Sequence, residues 1–210
     1  MANSDDTVLE IPTPRGPARA HLTLPVGVPR GLLVLGHGAG GGVGTPDLEA
    51  ATGAAVSLGL AVARVEQPYR VAGRRGPDRA PALDDAWRVV VEALKTTLGT
   101  NLRIVAGGRS SGARVACRTA ADTGAAGSCA LAFPLQPRAR AGAAPRPSRQ
   151  PELDSVTVPV LVVQGERDPF GMPDAAPGRI VVRVPDDHSL RRSADAVGVA
   201  VTGWLPQLLD

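Results

Sequence analysis

Apolar residues recur along this chain in two rhythms, short β-rich runs and longer stretches with helical spacing, and the order of the two predicts the architecture. Residues 8–11 and 18–24 read as an opening hairpin, joined by the turn-forming Thr13-Pro14-Arg15-Gly16. Residues 32–35 form an apolar run without alternation, as expected of a strand buried on both faces. A helix over 46–58 follows, with Thr45 placed as N-cap and Pro46 at the first helical position. Further strands are predicted over 60–65, 102–106, 129–133, 158–163 and 180–184, and further helices over 81–98, 111–122 and 190–209. In the 81–98 helix, Leu83, Trp87, Val90, Val91 and Leu94 mark the apolar face.

Eight strands, with helices between those from the third onward, predict an α/β protein. Its sheet is mostly parallel after an antiparallel start, with helices on both faces and a single domain over 1–210. The segment 134–156 breaks the pattern. It is rich in Pro, Arg and Ala and has too few large apolar residues for a core of its own. It reads as a mobile surface loop with one turn of helix near Glu152.

Composition narrows the partners. A hydrophobic fraction of 43% over 210 residues suffices for one sizeable core. Aromatic residues make up only 2%, so there is no platform on which bases could stack, and nucleic acid is disfavoured. The net charge is only +3, and of the 23 basic residues Lys95 is the one lysine, so no polyanion partner is implied. Residues 1–7 are polar and acidic, unlike a secretory signal, and no later run approaches the ~20 apolar residues of a membrane span. A cytoplasmic protein is expected, in which Cys117 and Cys129 stay as buried free thiols. Two cysteines and three histidines, none at ligand spacing, predict no metal site.

The chemistry is concentrated at strand ends. Gly108-Arg109-Ser110-Ser111-Gly112 has the form G-x-S-x-G between a predicted strand and a predicted helix. At such an elbow the glycines relieve crowding, and the serine stands exposed at a helix N-terminus, where the dipole favours developing negative charge. A nucleophilic serine needs a base and an orienting acid, which this topology supplies from loops after later strands. His188 follows the last strand and Asp168 sits in the Pro-marked turn after the strand before it, so the chain order is Ser, Asp, His. Glu166 and Asp187 are alternative acids, but Asp168 lies deepest in its turn. His21 falls in the hairpin and His37 in a glycine-rich loop, which leaves His188 as the base.

That glycine-rich loop, Leu35-Gly36-His37-Gly38-Ala39-Gly40-Gly41-Gly42, would leave backbone N–H groups free, and those of Ala39 and Ser111 are the expected oxyanion hole. It also carries a rival signal. Gly36-x-Gly38-x-x-Gly41 matches a dinucleotide-binding fingerprint, with Glu66 ending the next strand where a ribose-binding acid could lie. A dinucleotide loop, however, starts its helix within the glycine run, and Gly40-Gly41-Gly42-Val43-Gly44 is a poor helix former. Gly40, Tyr69, Arg70, Arg74 and Arg109 fall on the same predicted rim as Ser110 and are candidate substrate contacts, the arginines for an anionic group. Arg74 and Arg75 could instead pair with Asp78, Asp84 or Asp85.

Across nearly its whole length the chain resembles the compact α/β hydrolases related to dienelactone hydrolase, and within them the KANL3/Tex30-like hydrolase domain. The likeness lies in Gly36-His37-Gly38-Ala39-Gly40, Gln67-Pro68-Tyr69-Arg70 with Gly73-Arg74-Arg75, Gly107-Gly108-Arg109-Ser110, Phe133-Pro134-Leu135, Gly165-x-x-Asp168-Pro169-Phe170 and Asp187-His188-Ser189. Relatives often carry His where this chain has Gln136, and dienelactone hydrolases use cysteine where it has Ser110. The resemblance implies an α/β-hydrolase fold; many relatives carry a lid at 134–156, but that segment has too few apolar residues here to form one, which predicts an open site for small substrates. It implies two functions: ester or thioester hydrolysis through an acyl-Ser110 intermediate without a cofactor, or a non-catalytic interaction module that keeps the fold.

Overall fold

The computed structural model describes residues 7–99, 101–137, 142, 144 and 146–209. The hairpin forms first in the chain, from β1 (Thr7–Ile11) and β2 (Ala18–Thr23), and β2 lies antiparallel to β4 (Leu60–Glu66). The remaining strands are parallel: β3 (Gly31–Gly36), β5 (Arg103–Arg109), β6 (Gly127–Leu131), β7 (Val160–Gly165) and β8 (Arg179–Val184). The order across the sheet is β1-β2-β4-β3-β5-β6-β7-β8. Because β3 has β4 on one side and β5 on the other, the chain reverses its direction of winding there. The C-terminal ends of β3 and β5 therefore border a crevice of the kind where open α/β sheets bind ligands.

Alternation along each strand sends neighbouring side chains into separate cores. Leu32 and Val34 of β3 join Trp87, Val90, Val91 and Leu94 of α3 (Ala80–Leu98). Leu33 and Leu35 join Leu48, Ala51 and Ala55 of α1 (Pro46–Ser57), with Val197 and Val201 of α6 (Ala194–Trp204). A third cluster gathers Ala113 and Cys117 of α4 (Ser111–Thr119) with Phe133, Leu135 and Leu153. With so few aromatics, Trp87 is the largest fully buried side chain. Both cysteines are free and buried, and burial pushes their thiols up to about 11 for Cys117 and about 12 for Cys129.

Several elements differ from expectation for identifiable reasons. β5 runs past the apolar stretch to Arg109, because Gly107 and Gly108 leave its backbone free to keep pairing with β3 and β6. The 190–209 stretch divides into a loop containing Leu190, then α6, then a 3₁₀ turn over Leu205–Leu208. Thr45 has the extended backbone of an N-cap, yet its hydroxyl makes no capping bond. A short helix, α2 (Pro68–Val71), carries Tyr69 and Arg70.

The 134–156 insert is less of a loose loop than its composition suggests. Its positions 138–141, 143 and 145 lie outside the described residues. Its ends are fastened by Gln136 N–H to the Phe170 carbonyl at 2.7 Å and Arg149 N–H to the Leu135 carbonyl at 2.8 Å. Its helix, α5 (Gln150–Asp154), buries Leu153, while Glu152 pairs with Arg114 and Arg118 of α4. Among the described residues no helix is long and apolar enough to cross a membrane.

Candidate active site

Ser110 stands where β5 turns into α4, with φ 53° and ψ −106°. A non-glycine residue held there stores about 1–3 kcal/mol of backbone strain, which the surrounding contacts must over-determine. Its N–H donates to the Leu131 carbonyl at 2.9 Å, and its own carbonyl accepts from Arg114 N–H at 3.2 Å. The turn is possible because three glycines meet: a Cβ on Gly108 or on Gly112 would overlap the backbone of Gly36. Gly36 thus has a packing role at the end of β3. α1 begins only at Pro46, and Glu66 Oε2 accepts from His21 Nε2 at 3.2 Å. This arrangement lacks the early helix that a dinucleotide loop requires.

The loops after β7 and β8 bring Asp168 and His188 to this elbow. His188 Nε2 lies 3.0 Å from Ser110 Oγ, and His188 Nδ1 lies 2.7 Å from Asp168 Oδ2. The Asp168 carboxylate is fully buried; its Oδ1 accepts from Phe170 N–H at 2.8 Å and its Oδ2 from the Gln164 amide at 2.8 Å. A buried carboxylate with three donors is held in one orientation. Because a carboxylate oxygen accepts at Nδ1, His188 carries its proton there and presents a lone pair at Nε2 to the serine hydroxyl. The Phe170 ring packs on the imidazole with centroids 4.5 Å apart. Glu166 and Asp187, the alternative acids, are both exposed, and Asp187 accepts from Ser189 N–H instead.

The loop after β3 is held by two side chains. Gln67 N–H donates to His37 Nε2 at 3.2 Å, so the proton of this buried ring sits on Nδ1, which donates to the Gly38 carbonyl at 2.8 Å. Tyr69 donates its hydroxyl to the Ala39 carbonyl at 3.1 Å. A trans peptide carries its N–H opposite its C=O, so fastening the Gly38 carbonyl on the His37 side directs the Ala39 N–H the other way. The first N–H of α4, that of Ser111, has no intrahelical acceptor.

Burial lowers the His37 pKa below the ordinary 6.5, with Arg70 adding to the depression and the Gly38 carbonyl and Glu66 opposing it. As pH falls below about 6.5 the unfolded chain binds this proton first, so the share of stability tied to neutral His37 is lost on the acid side. His37→Asn keeps a donor for Gly38 without a titrating ring. The expected result is a smaller fall in melting temperature than wild type between about pH 7.5 and about pH 5, measured by calorimetry.

The candidate substrate contacts divide. Gly40 is exposed at the tip of its loop. Arg70 is half-buried beside His37 and Tyr69. Arg74 instead grips Asp78 through two bonds of 2.7 and 2.8 Å, bracing its own loop. Tyr69 is buried against the Ala39 carbonyl, and Arg109 turns inward to Asp47 and the His188 carbonyl. Both face protein, which corrects the expectation that they line an open rim.

Sequence reasoning passed over three residues. Gln164 braces Asp168. Asp186, 2% exposed, folds the His188 loop by accepting from the N–H groups of Asp187, Arg192 and Ser193. Asp47 is fully buried beneath Arg109. The only available signal was a polar residue among apolar ones at Gln164, and two adjacent aspartates at Asp186.

Comparison with solved structures gives the same topology. The α/β serine hydrolase without lid from Xanthomonas campestris superposes with a TM-score of 0.79 at 21% identity, over 99% of this chain and 96% of that one. The dienelactone hydrolase from Anabaena variabilis gives 0.73 at 15%, over 97% of both chains, and the α/β serine hydrolase homologue from Coxiella burnetii 0.74 at 18%, also over 97% of both. At these identities the likeness is one of fold. No curated protein sequence matches the chain. Residues 29–195, however, match the family model of the alpha/beta hydrolase domain, so the chain belongs to the alpha/beta hydrolase family.

Proposed function

We propose that this protein is a serine hydrolase that cleaves a small ester or thioester through an acyl-Ser110 intermediate. The observation that carries the reading is the continuous row from Asp168 through His188 to Ser110, with contacts of 2.7 and 3.0 Å. As Ser110 Oγ attacks the carbonyl carbon, His188 Nε2 takes its proton, and Asp168 stabilises the imidazolium through Nδ1–H. The carbonyl π electrons move to oxygen, where the Ala39 and Ser111 N–H groups receive the charge, and loss of one such donor costs about 3 kcal/mol. Collapse expels the alcohol or thiol, which takes the proton from His188. Water, deprotonated by His188, then releases the acid and restores Ser110. No step requires a cofactor.

The test is fluorophosphonate labelling of the purified protein, with hydrolysis of p-nitrophenyl and CoA esters of graded chain length. Labelling at Ser110 with turnover of short esters is the expected outcome. A chain that neither labels nor turns over would be an interaction module built on the same fold.

For substrate class we infer an anionic ester, on the support of Arg70, a half-buried cation near His37 and Tyr69. A charge-assisted bond from its guanidinium to a substrate carboxylate contributes roughly 1.5–3 kcal/mol. Arg70→Ala should lower kcat/KM about 10-fold or more for a carboxylate-bearing ester and under about 3-fold for its neutral methyl ester. Equal losses for the two esters would assign Arg70 to structure.

A further inference from the structure

Arg109 occupies the position inside G-x-S-x-G directly before Ser110, yet its side chain is only 15% exposed. Its Nη2 donates to the His188 carbonyl at 2.8 Å, and its Nε lies 3.1 Å from Asp47 Oδ2. Its Nη1 packs so closely on Gly38 that a Cβ there would come within 2.8 Å. One guanidinium therefore touches the loop that carries the base, the loop that carries the Ala39 N–H, and the first turn of α1. Its own backbone pairs β5 to β6, through Leu131.

Asp47 explains why the fork points inward. Its side chain is 0% exposed, and burial pushes its carboxyl pKa up; the Arg109 guanidinium, an ion pair at 3.1 Å without a hydrogen bond from Nε, opposes that rise by answering the buried charge. Asp47 thus draws the Arg109 head group down into the protein and leaves Nη2 and Nη1 to meet His188 and Gly38. The planar fork reaches several partners at once with fixed angles between its N–H groups, which an ammonium on a flexible stem cannot do.

We propose that Arg109, anchored by Asp47, is a positioning residue that sets the main chain of His188 and the Gly38–Ala39 loop against Ser110, and that it does not touch substrate. The proposal rests on the acyl-Ser110 reading. It places Arg109 in the timing of acylation: with the fork lost, His188 Nε2 and the Ala39 N–H each shift from the serine, and misplacement of about 1 Å costs on the order of 100-fold in rate.

The experiment compares wild type with Arg109→Lys, Arg109→Met and Asp47→Asn, each checked for folding by circular dichroism and melting temperature. The measurements are the second-order rate of fluorophosphonate labelling and kcat and KM for p-nitrophenyl acetate. Both Arg109 variants should lose about 10- to 100-fold in labelling rate and kcat with KM within about 2-fold of wild type. Asp47→Asn should lose less, and adding it to Arg109→Met should cost little more, because the pair acts as one unit. Should Arg109→Met fail to fold, Arg109→Lys decides, since it keeps the charge over Asp47 and removes the fork. Folded variants that label at the wild-type rate would reduce Arg109 to a brace, and a raised KM with unchanged kcat would make it a substrate contact; either overturns the proposal alone. An unlabelled wild type would remove the acyl-Ser110 reading first and this proposal with it.

Discussion

Ser110→Ala is expected to abolish fluorophosphonate labelling and to lower kcat by about 10⁴- to 10⁶-fold, while the melting temperature stays within a few degrees of wild type. On the proposed mechanism the activity loss is large because Ser110 Oγ is the atom that forms the covalent bond. Residual turnover would come from the backbone donors and His188 acting on water. The fold is spared because Ser110 contributes to it through its backbone: the N–H bond to Leu131 and the carbonyl bond to Arg114 survive the substitution. The backbone strain at φ 53° is the same for alanine as for serine. Mass spectrometry of the labelled protein and thermal unfolding check both halves. Full labelling of the variant would locate the nucleophile elsewhere.

Gly112→Ala should have the largest effect on stability. The new methyl would overlap the carbonyl oxygen and both carbons of the Gly36 backbone, and no rotamer can relieve a clash at Cβ. Overpacking against movable side chains typically costs 1–3 kcal/mol, and against backbone on the central strand the expected cost exceeds about 3 kcal/mol. To accommodate it α4 must back away from β3, carrying the Ser111 N–H with it, so folded variant should also lose at least about 100-fold in kcat. Gly53→Ala is the control. Gly53 lies in the exposed middle of α1 with open space around its would-be Cβ, and there alanine should stabilise by roughly 0.5–1 kcal/mol. Urea unfolding of the two variants gives opposite signs if the contact at Gly36 is the cause.

Much of the architecture was legible because it is written in local periodicity. The run without alternation at 32–35 announces a strand covered on both faces, and it is the central strand, fully buried. The spacing of Leu83, Trp87, Val90, Val91 and Leu94 announces a helix with one buried face, and all five line that face. That Ser110, Asp168 and His188 meet was legible in advance because each lies just past a strand, and a parallel sheet collects such ends on one edge. Boundaries read less well. The end of β5 at Arg109 is invisible to hydrophobicity, since glycines pair as strand while reading as loop, and α2 is too short for any period to show.

What the sequence by itself determined is therefore the eight strands and the longer helices, their order, and the edge of the sheet at which Ser110, Asp168 and His188 gather, because apolar spacing and turn chemistry act over a few neighbouring residues. Only the tertiary structure decided where the polar side chains point. Arg109 reads as a rim arginine until His188, 79 residues away, and Asp47 close around it. Tyr69 reads as a substrate contact until the Ala39 carbonyl, 30 residues back, accepts its hydroxyl. Gly36 reads as part of a phosphate loop until Gly108 and Gly112 come to rest against it. In each case the deciding partner is distant in the chain, and which groups come within reach is set by how the strands are ordered in the sheet: for Arg109 and Tyr69 desolvation favours an answering polar group, and for Gly36 close backbone packing decides.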